Sequence, residues 1–165
     1  MKIPLDKYYT PTNLAKYCIS ALGKIECIKE VTHIIEPSAG NGSFSRFLPC
    51  DAYDIQPDHP SIVKQDFLEL NIPYLKGRLV IGNPPFGRTN SLIIKFFKKS
   101  VEIADTIAFI LPVSQYGNKQ QLYEFDLVHS EILPKAKYSG VSLDCCFNVY
   151  QRPLNGVLNK RVNYK

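Results

Sequence analysis

The chain has 165 residues, of which 45% are hydrophobic and 21% charged, and its formal net charge is +5. This length and composition are typical of one globular domain and exclude a low-complexity or repeat protein, while the positive charge favours a polyanionic partner. No apolar stretch approaches the roughly 18 residues that span a bilayer, and residues 1–6 lack the apolar core of a secretion signal, so we expect a cytoplasmic protein without membrane association.

Apolar periodicity predicts an α/β arrangement along the chain. A helix is predicted at 12–23, followed by short buried strands at 32–36, 52–55, 61–64, 79–82 and 106–111, with a second helix at 91–104. Two further apolar runs, 127–133 and 141–150, are joined by the turn-rich segment 134–140 and predict an antiparallel hairpin at one sheet edge. Strands that alternate with helices predict a mostly parallel sheet with right-handed crossovers.

A glycine-rich turn follows the first predicted strand, in the sequence Glu-Pro-Ser-Ala-Gly-Asn-Gly at 36–42. Gly40 and Gly42 allow a ligand to approach the backbone closely, and a helix after the turn would present free amide groups. The segment lacks the third glycine of the dinucleotide fingerprint, and the carboxylate of Glu36 would repel a pyrophosphate but attract a cationic ligand. An ordinary strand-to-helix turn is the alternative.

Acidic residues follow the next two predicted strands. Asp54 ends the strand at 52–55, where its carboxylate can accept hydrogen bonds from both ribose hydroxyls. Asp66 and Phe67 follow the strand at 61–64, in a position to bond an adenine amine and pack against its ring. Each acid alone is as readily a helix cap or an exposed loop residue. Their successive positions at strand carboxyl ends favour a nucleoside-binding site.

The sharpest motif, Asn83-Pro84-Pro85-Phe86, ends the strand at 79–82. The two prolines fix φ and prevent a central strand from continuing, and a residue before proline is kept out of the helical region. This predicts a rigid pair of acceptors, the side-chain oxygen of Asn83 and the carbonyl of Pro84, beside the flat ring of Phe86. Two acceptors that bond the hydrogens of an aromatic amine would favour a pyramidal nitrogen and stabilise the charge that develops during methyl transfer. The alternative is a proline-terminated strand with a packed phenylalanine.

Five cysteines and three histidines show no metal-ligand or redox spacing. Adjacent Cys145 and Cys146 lie in an apolar run, where free thiols behave as small hydrophobic side chains. We therefore expect no metal site and interpret these residues as structural.

Taken together, the motifs resemble those of the S-adenosylmethionine-dependent N6-adenine DNA methyltransferases, over about residues 8–150. The resemblance implies a Rossmann-like, doubly wound sheet of seven mostly parallel strands with an antiparallel terminal hairpin, the class I methyltransferase fold. It implies S-adenosylmethionine as methyl donor and nucleic acid as partner, with DNA favoured over RNA. The cofactor-binding residues that it implies are Tyr9, Thr10, Pro11, Glu36, Pro37, Ser38, Ala39, Gly40, Gly42, Asp54, Ile55, Asp66, Phe67 and Asn83. The catalytic residues that it implies are Asn83, Pro84, Pro85 and Phe86.

The sequence predicts a single methyltransferase domain at 1–150 and a basic tail without periodicity at 151–165. We expect no separate target-recognition domain, in contrast to the family members that select a DNA sequence. Sequence specificity is then low, supplied by a protein partner, or absent. Residues 87–90, Gly-Arg-Thr-Asn, are similar to those of adenine methyltransferases of ribosomal RNA, so RNA is an alternative substrate. Methylation of a protein glutamine is a further alternative. A catalytically silent methyltransferase-like subunit is the alternative of a different class. The expected phosphate contacts are Arg88, Lys95, Lys98, Lys99 and the tail, and for the three lysines a solvated helix face is an equally favoured alternative.

Overall fold

The structure, a computed structural model, describes residues 9–118 and 120–161. Its helices and strands are α1 (Thr12–Leu22), β1 (His33–Glu36), β2 (Asp51–Asp54), β3 (Val63–Lys64), β4 (Arg78–Gly82), α2 (Ser91–Ile103), β5 (Thr106–Pro112), β6 (Asp126–Ile132), β7 (Ala136–Tyr138), β8 (Val141–Leu143) and β9 (Cys145–Gln151). The two predicted helices and the first five predicted strands are confirmed to within two residues at each end.

Seven strands form one sheet in the order β3-β2-β1-β4-β5-β9-β6. Strands β1 to β5 pair in parallel, whereas β9 is antiparallel to both of its neighbours, β5 and β6. This confirms the predicted α/β fold with a doubly wound, mostly parallel sheet. The strand order reverses between β1 and β4, and such a reversal opens a crevice at the carboxyl ends of the two strands.

The two helices cover opposite faces of the sheet. Leu79 and Ile81 of β4 belong to the core cluster that includes α1, whereas Val80 belongs to the cluster that includes α2. All five residues of β4 are buried, as expected for a central strand covered on both faces. In the described ranges, no helix has both the length and the apolar character needed to cross a bilayer.

The predicted antiparallel pair of C-terminal strands at one sheet edge is confirmed, because β6 is the edge strand and pairs antiparallel with β9. Six of the seven residues of β9 are buried, whereas those of β6 are exposed or partly buried, as expected with β9 inside the sheet and β6 at its edge. The connection between the two strands differs from the prediction. The segment predicted as a turn contains β7, which pairs with β8 in a separate two-stranded hairpin. The predicted run 141–150 is divided at Asp144, whose carbonyl accepts a hydrogen bond from the amide of Val113.

The helix expected after the glycine turn is absent, and turns occupy residues 40–47 instead. Isolated helical-type bonds form there, from the amide of Arg46 to the carbonyl of Gly42 and from the amides of Phe47 and Leu48 to the carbonyl of Phe44. Pro49 follows directly and has no amide hydrogen with which to continue the series.

The segment predicted as a basic tail begins inside β9 and continues with an ordered arginine. Nη2 of Arg152 donates to the carbonyls of Val101 and Ala104, and its Nε bonds Asp105 at 3.0 Å. Arg152 thereby satisfies carbonyl groups that the C-terminal end of α2 leaves without helical partners. Residue Lys165, which belongs to the same predicted tail, lies outside the described residues.

Candidate active site

A cleft of about 160 Å³ opens at the carboxyl ends of β1 to β4. Its lining residues are Tyr9, Pro37, Ser38, Gly40, Asp54, Ile55, Gln65, Asp66, Phe67, Leu68, Asn83, Pro85, Leu92 and Phe96. An adjoining cavity of about 20 Å³ is lined by Tyr9, Thr10, Glu36, Ser38, Ala39, Ser43, Phe44 and Asn83. The parallel sheet therefore brings most of the predicted site residues together. Pro11, Gly42, Pro84 and Phe86 lie outside both linings.

The glycine turn is closed by Asp54. Gly40 has φ +58°, and its amide donates to Oδ2 of Asp54 at 2.8 Å. A Cβ atom at Gly40 would lie 2.6 Å from Cε1 of Tyr9, closer than real Cβ contacts allow. Only glycine therefore satisfies both the left-handed backbone and the approach of the tyrosine ring.

Glu36, at the end of β1, holds the chain that follows this turn. It is 1% exposed, and its carboxylate accepts hydrogen bonds from the amides of Ser45 at 2.9 Å and Phe44 at 3.3 Å. Burial raises the pKa of Glu36 to about 7, and the two amide bonds oppose that shift. The structure therefore shows Glu36 organising the turn through its backbone amides.

The carboxylates of Asp54, at the end of β2, and Asp66, after β3, have different backbone partners. Asp54 is 6% exposed, and its two oxygens accept from the amides of Gly40 and Gln56, both at 2.8 Å. Oδ1 of Asp66 accepts from the amide of Leu68 and caps the short helix Phe67–Glu69, while its side chain also lines the cleft. A carboxylate has about four acceptor positions, so these bonds orient both acids without exhausting them.

Asn83 occupies the end of β4, next to the cleft. Its Nδ2 donates to Oγ1 of Thr10 at 3.3 Å, and its backbone carbonyl accepts from Oγ of Ser38 at 3.0 Å. The side-chain amide is thus oriented by the N-terminal segment, and its main chain is tied to the glycine turn. Pro84 directly follows and is buried. This arrangement fixes the amide oxygen of Asn83 and the carbonyl of Pro84 on one rigid segment.

Phe86 packs against both core clusters and is only partly buried. These contacts match the alternative of a packed phenylalanine, and its stacking on a target base stays a prediction. The residues after it form a tight turn, because Gly87, Thr89 and Asn90 all have positive φ angles of 70°, 51° and 62°. Such conformations in non-glycine residues are uncommon and cluster at functional sites.

Four cleft residues were not predicted from the sequence: Gln65, Leu68, Leu92 and Phe96. Leu92 and Phe96 belong to the apolar stripe of α2, and the ring of Phe96 lies 5.4 Å from that of Phe67. Helical periodicity identified this stripe, but periodicity alone does not separate a residue of the core from one that lines a cleft.

Two of the expected phosphate contacts, Lys98 and Arg152 of the predicted tail, have structural partners. Nζ of Lys98 bonds Oε2 of Glu124 at 2.8 Å and lies 5.2 Å from the ring centre of Tyr123. Arg152 bonds Asp105 and the carbonyl of Val101 near the C-terminal end of α2. The side chains of Lys98 and Arg152 are therefore both bonded within the fold, at the end of the sheet away from the cleft.

No protein-family model matches the chain, but two curated relatives do. The Type II methyltransferases M.HincII of Haemophilus influenzae and M.HindII of its strain Rd are each 33% identical over 102 residues, which is 55% of this chain. The chain spans about a fifth of the length of these relatives, 19% and 18%. The predicted resemblance to methyltransferases is confirmed.

The fold is also similar to that of solved methyltransferases. A candidate RNA methyltransferase of Pyrococcus horikoshii matches with TM-score 0.68 at 20% identity, over 92% of this chain and 89% of that one. The 23S rRNA methyltransferase ErmE matches with TM-score 0.57 at 18% identity, over 89% and 70%. Magnesium protoporphyrin IX methyltransferase of Synechocystis, solved with bound S-adenosylmethionine, matches with TM-score 0.56 at 10% identity, over 83% and 79%. The chain has the class I methyltransferase fold.

Proposed function

We propose that the chain transfers a methyl group from S-adenosylmethionine to the exocyclic N6 amine of adenine in DNA. The observation that carries this proposal is the Asn83-Pro84 segment, held rigidly at the end of β4 beside a cleft with two carboxylates. The likeness to Type II methyltransferases supports the reaction, and the motif order supports adenine as the target.

The cleft has the chemistry that S-adenosylmethionine requires. Asp54, already fixed by two amides, would accept hydrogen bonds from the ribose hydroxyls, and Asp66 would accept from the adenine amine. Ile55 and Phe67 provide apolar surface for the adenine ring, and Gly40 lets the ligand approach the backbone. When bound, the cofactor would supply an electrophilic methyl group, and the carboxylates of Asp54 and Asp66 in the cleft lining suit the positive charge of its sulfonium.

Asn83 and Pro84 would act on the target amine. Oδ1 of Asn83 and the carbonyl of Pro84 would each accept one hydrogen of the N6 group, which draws its lone pair out of conjugation with the ring. Thr10 positions the Asn83 amide for this role, because it accepts the amide hydrogen of Nδ2. When N6 forms its bond to the methyl carbon, the bond between that carbon and the cofactor's sulfur would break. One of the two held protons would then pass from N6 to water, so the chain needs no strong base.

The proposal is tested by methyl transfer from labelled S-adenosylmethionine to DNA, RNA and protein in parallel. We expect transfer to adenine in DNA, and we expect Asn83→Ala to reduce turnover on the order of 100-fold or more while cofactor affinity stays nearly unchanged. Asn155→Ala is the matched control, because Asn155 is exposed after β9, away from the cleft.

Each other outcome identifies an alternative. Transfer to RNA alone would replace DNA by RNA as the substrate, in keeping with the similarity of residues 87–90 to RNA adenine methyltransferases. Cofactor binding without transfer to any substrate would indicate a silent methyltransferase-like subunit. Wild-type turnover by Asn83→Ala would show that the proposed catalytic role is wrong.

A further inference from the structure

A second, wider depression lies beside the catalytic segment and is separate from the cleft. This hairpin groove, about 550 Å³, runs between α1 and the strand β7, and its lining residues are Pro11, Asn13, Leu14, Tyr17, Pro134, Lys135, Ala136 and Lys137. It shares no lining residue with the cleft. Among its lining residues, Pro11 was predicted from the sequence, but as a cofactor-binding residue.

The topology places this groove at the edge of the sheet that carries the site. β6 is antiparallel to β9, and β9 is antiparallel to β5, so β6 ends at the same edge as β5. At this edge Pro112, the last residue of β5, pairs with Cys145, the first residue of β9. The hairpin β7–β8 connects β6 to β9 and therefore projects from the edge where β1 and β4 also end.

The chain segment at 9–11 separates the groove from the cleft. Tyr9 lines the cleft, Pro11 lines the groove, and Thr10 between them accepts the hydrogen bond from Asn83. Direct displacement requires the attacking nitrogen and the leaving sulfur to lie on opposite sides of the methyl carbon. A substrate that approaches Asn83 from the groove would meet a methyl donor that approaches it from the cleft.

The groove has the charge and surface of a nucleic-acid contact. Lys135 and Lys137 are exposed on its rim, and Tyr17 is an aromatic residue with 44% of its surface exposed. The nearby acid, Glu131, is already bonded to the hydroxyl of Tyr17 at 2.6 Å and to His129 at 2.9 Å. Lysines bind phosphates as point charges, and exposed aromatic rings stack on unpaired bases.

We propose that the hairpin groove binds the DNA strand next to the target adenine, with Lys135 and Lys137 on its phosphates. This inference rests on the proposed function, because it assigns the substrate side of the same site. The phosphate contacts are thereby assigned to Lys135 and Lys137, at the edge of the sheet where the reaction would occur. Lys98 and Arg152, which were expected to make such contacts, are bonded to acidic residues within the fold.

The test is binding of a labelled single-stranded DNA oligonucleotide to the full chain across a salt series, measured by fluorescence anisotropy. The double variant Lys135→Ala/Lys137→Ala should bind about 10-fold more weakly at low salt. The slope of log affinity against log salt should fall by about 1.4, since each phosphate contact with a single strand contributes about 0.7. The double variant Lys135→Arg/Lys137→Arg should keep the wild-type slope.

The matched control is Lys29→Ala/Lys76→Ala, which removes the same charge from exposed residues outside the groove that lie shortly before β1 and β4, at the opposite edge. An unchanged slope in the groove variant, an equal loss in the control, or groove dependence with RNA alone would overturn the inference. Cofactor titration and methyl transfer by the wild-type chain are run alongside. Their failure would refute the proposed function, whereas active wild-type protein with an unaffected groove variant would refute the groove alone.

Discussion

The carboxyl group of Glu36 is buried where β1 ends, and burial raises its pKa from an ordinary value of 4.5 to about 7. The folded protein therefore keeps a proton that the unfolded chain releases between about pH 4.5 and 7. The stabilisation from this group is complete below pH 4.5 and is lost as the pH rises through 7. At 1.36 kcal/mol per pKa unit, the change amounts to about 3 kcal/mol.

Glu36→Gln removes this titration with little change in size. From pH 5 to pH 8 we expect the free energy of unfolding of the wild type to fall by about 2 to 3 kcal/mol relative to the variant. Urea unfolding at the two pH values measures the difference. Glu102→Gln, on the exposed side of α2, should keep the wild-type pH dependence. Parallel pH dependence of wild type and Glu36→Gln would show that Glu36 does not hold the proton.

At the scale of elements, the hairpin β7–β8 fixes the N-terminal segment above the glycine turn. Its two turn residues, Ser139 and Gly140, have φ angles of 52° and 81°, as in a type I′ turn. Serine is not the preferred residue at the first position, but its Oγ accepts the amide hydrogen of Tyr9 at 2.9 Å. The ring of Tyr9 in turn lies over Gly40 and lines the cleft.

Ser139→Gly should separate stability from cofactor binding, if the cleft binds S-adenosylmethionine as proposed. Glycine relieves the left-handed backbone, so the melting temperature should stay or rise, while loss of one hydrogen bond of about 1 kcal/mol should weaken the cofactor several-fold. Ser139→Asn, which keeps an acceptor and suits the turn, should retain affinity. Calorimetry and thermal unfolding measure the two quantities. A fall in both together would indicate a purely structural role for Ser139.

The sequence predicted the elements that have a local signal. The apolar runs of β4 and β5 and the stripe of α2 follow from composition and period, and the proline pair correctly ended β4. The predicted helix after Gly42 does not form. The chain there is held by the carboxylate of Glu36, which accepts from the amides of Phe44 and Ser45, and this contact is set by tertiary structure. The hairpin within 134–143 and the position of β9 depend on strand pairing, which no local pattern encodes.

For the site, the sequence identified the groups at strand ends and missed the surfaces between them. Asp54, Asp66 and Asn83 were predicted because parallel strands end at one edge. Leu92 and the hairpin groove were missed, because their positions follow from how α2 and β7 pack against the sheet.

On the scale of the whole molecule, an adenine methylated as proposed would have to reach Asn83, which lines the cleft and bonds Thr10 beside the hairpin groove. An adenine in a duplex hides its N6 amine in the base pair, and extracting it costs a few kcal/mol. We therefore expect faster methylation of unpaired or mismatched adenine than of paired adenine. Matched single- and double-stranded oligonucleotides, compared by initial rates at several salt concentrations, measure this preference. A faster reaction on a defined duplex sequence with little salt dependence would contradict it.

β9 is the last strand of the described chain, yet it has a neighbour on each side. During synthesis on a ribosome, β5 and β6 leave the exit tunnel before the strand that joins them, so both wait with unpaired edges. The sheet is completed only when the nascent chain has emerged past Gln151. Contacts between β5 and β9 also span some 40 residues, and non-local pairings of this kind slow folding. Newly made chains would therefore depend on protection of those open edges, for example by a chaperone, until β9 emerges and pairs with both strands.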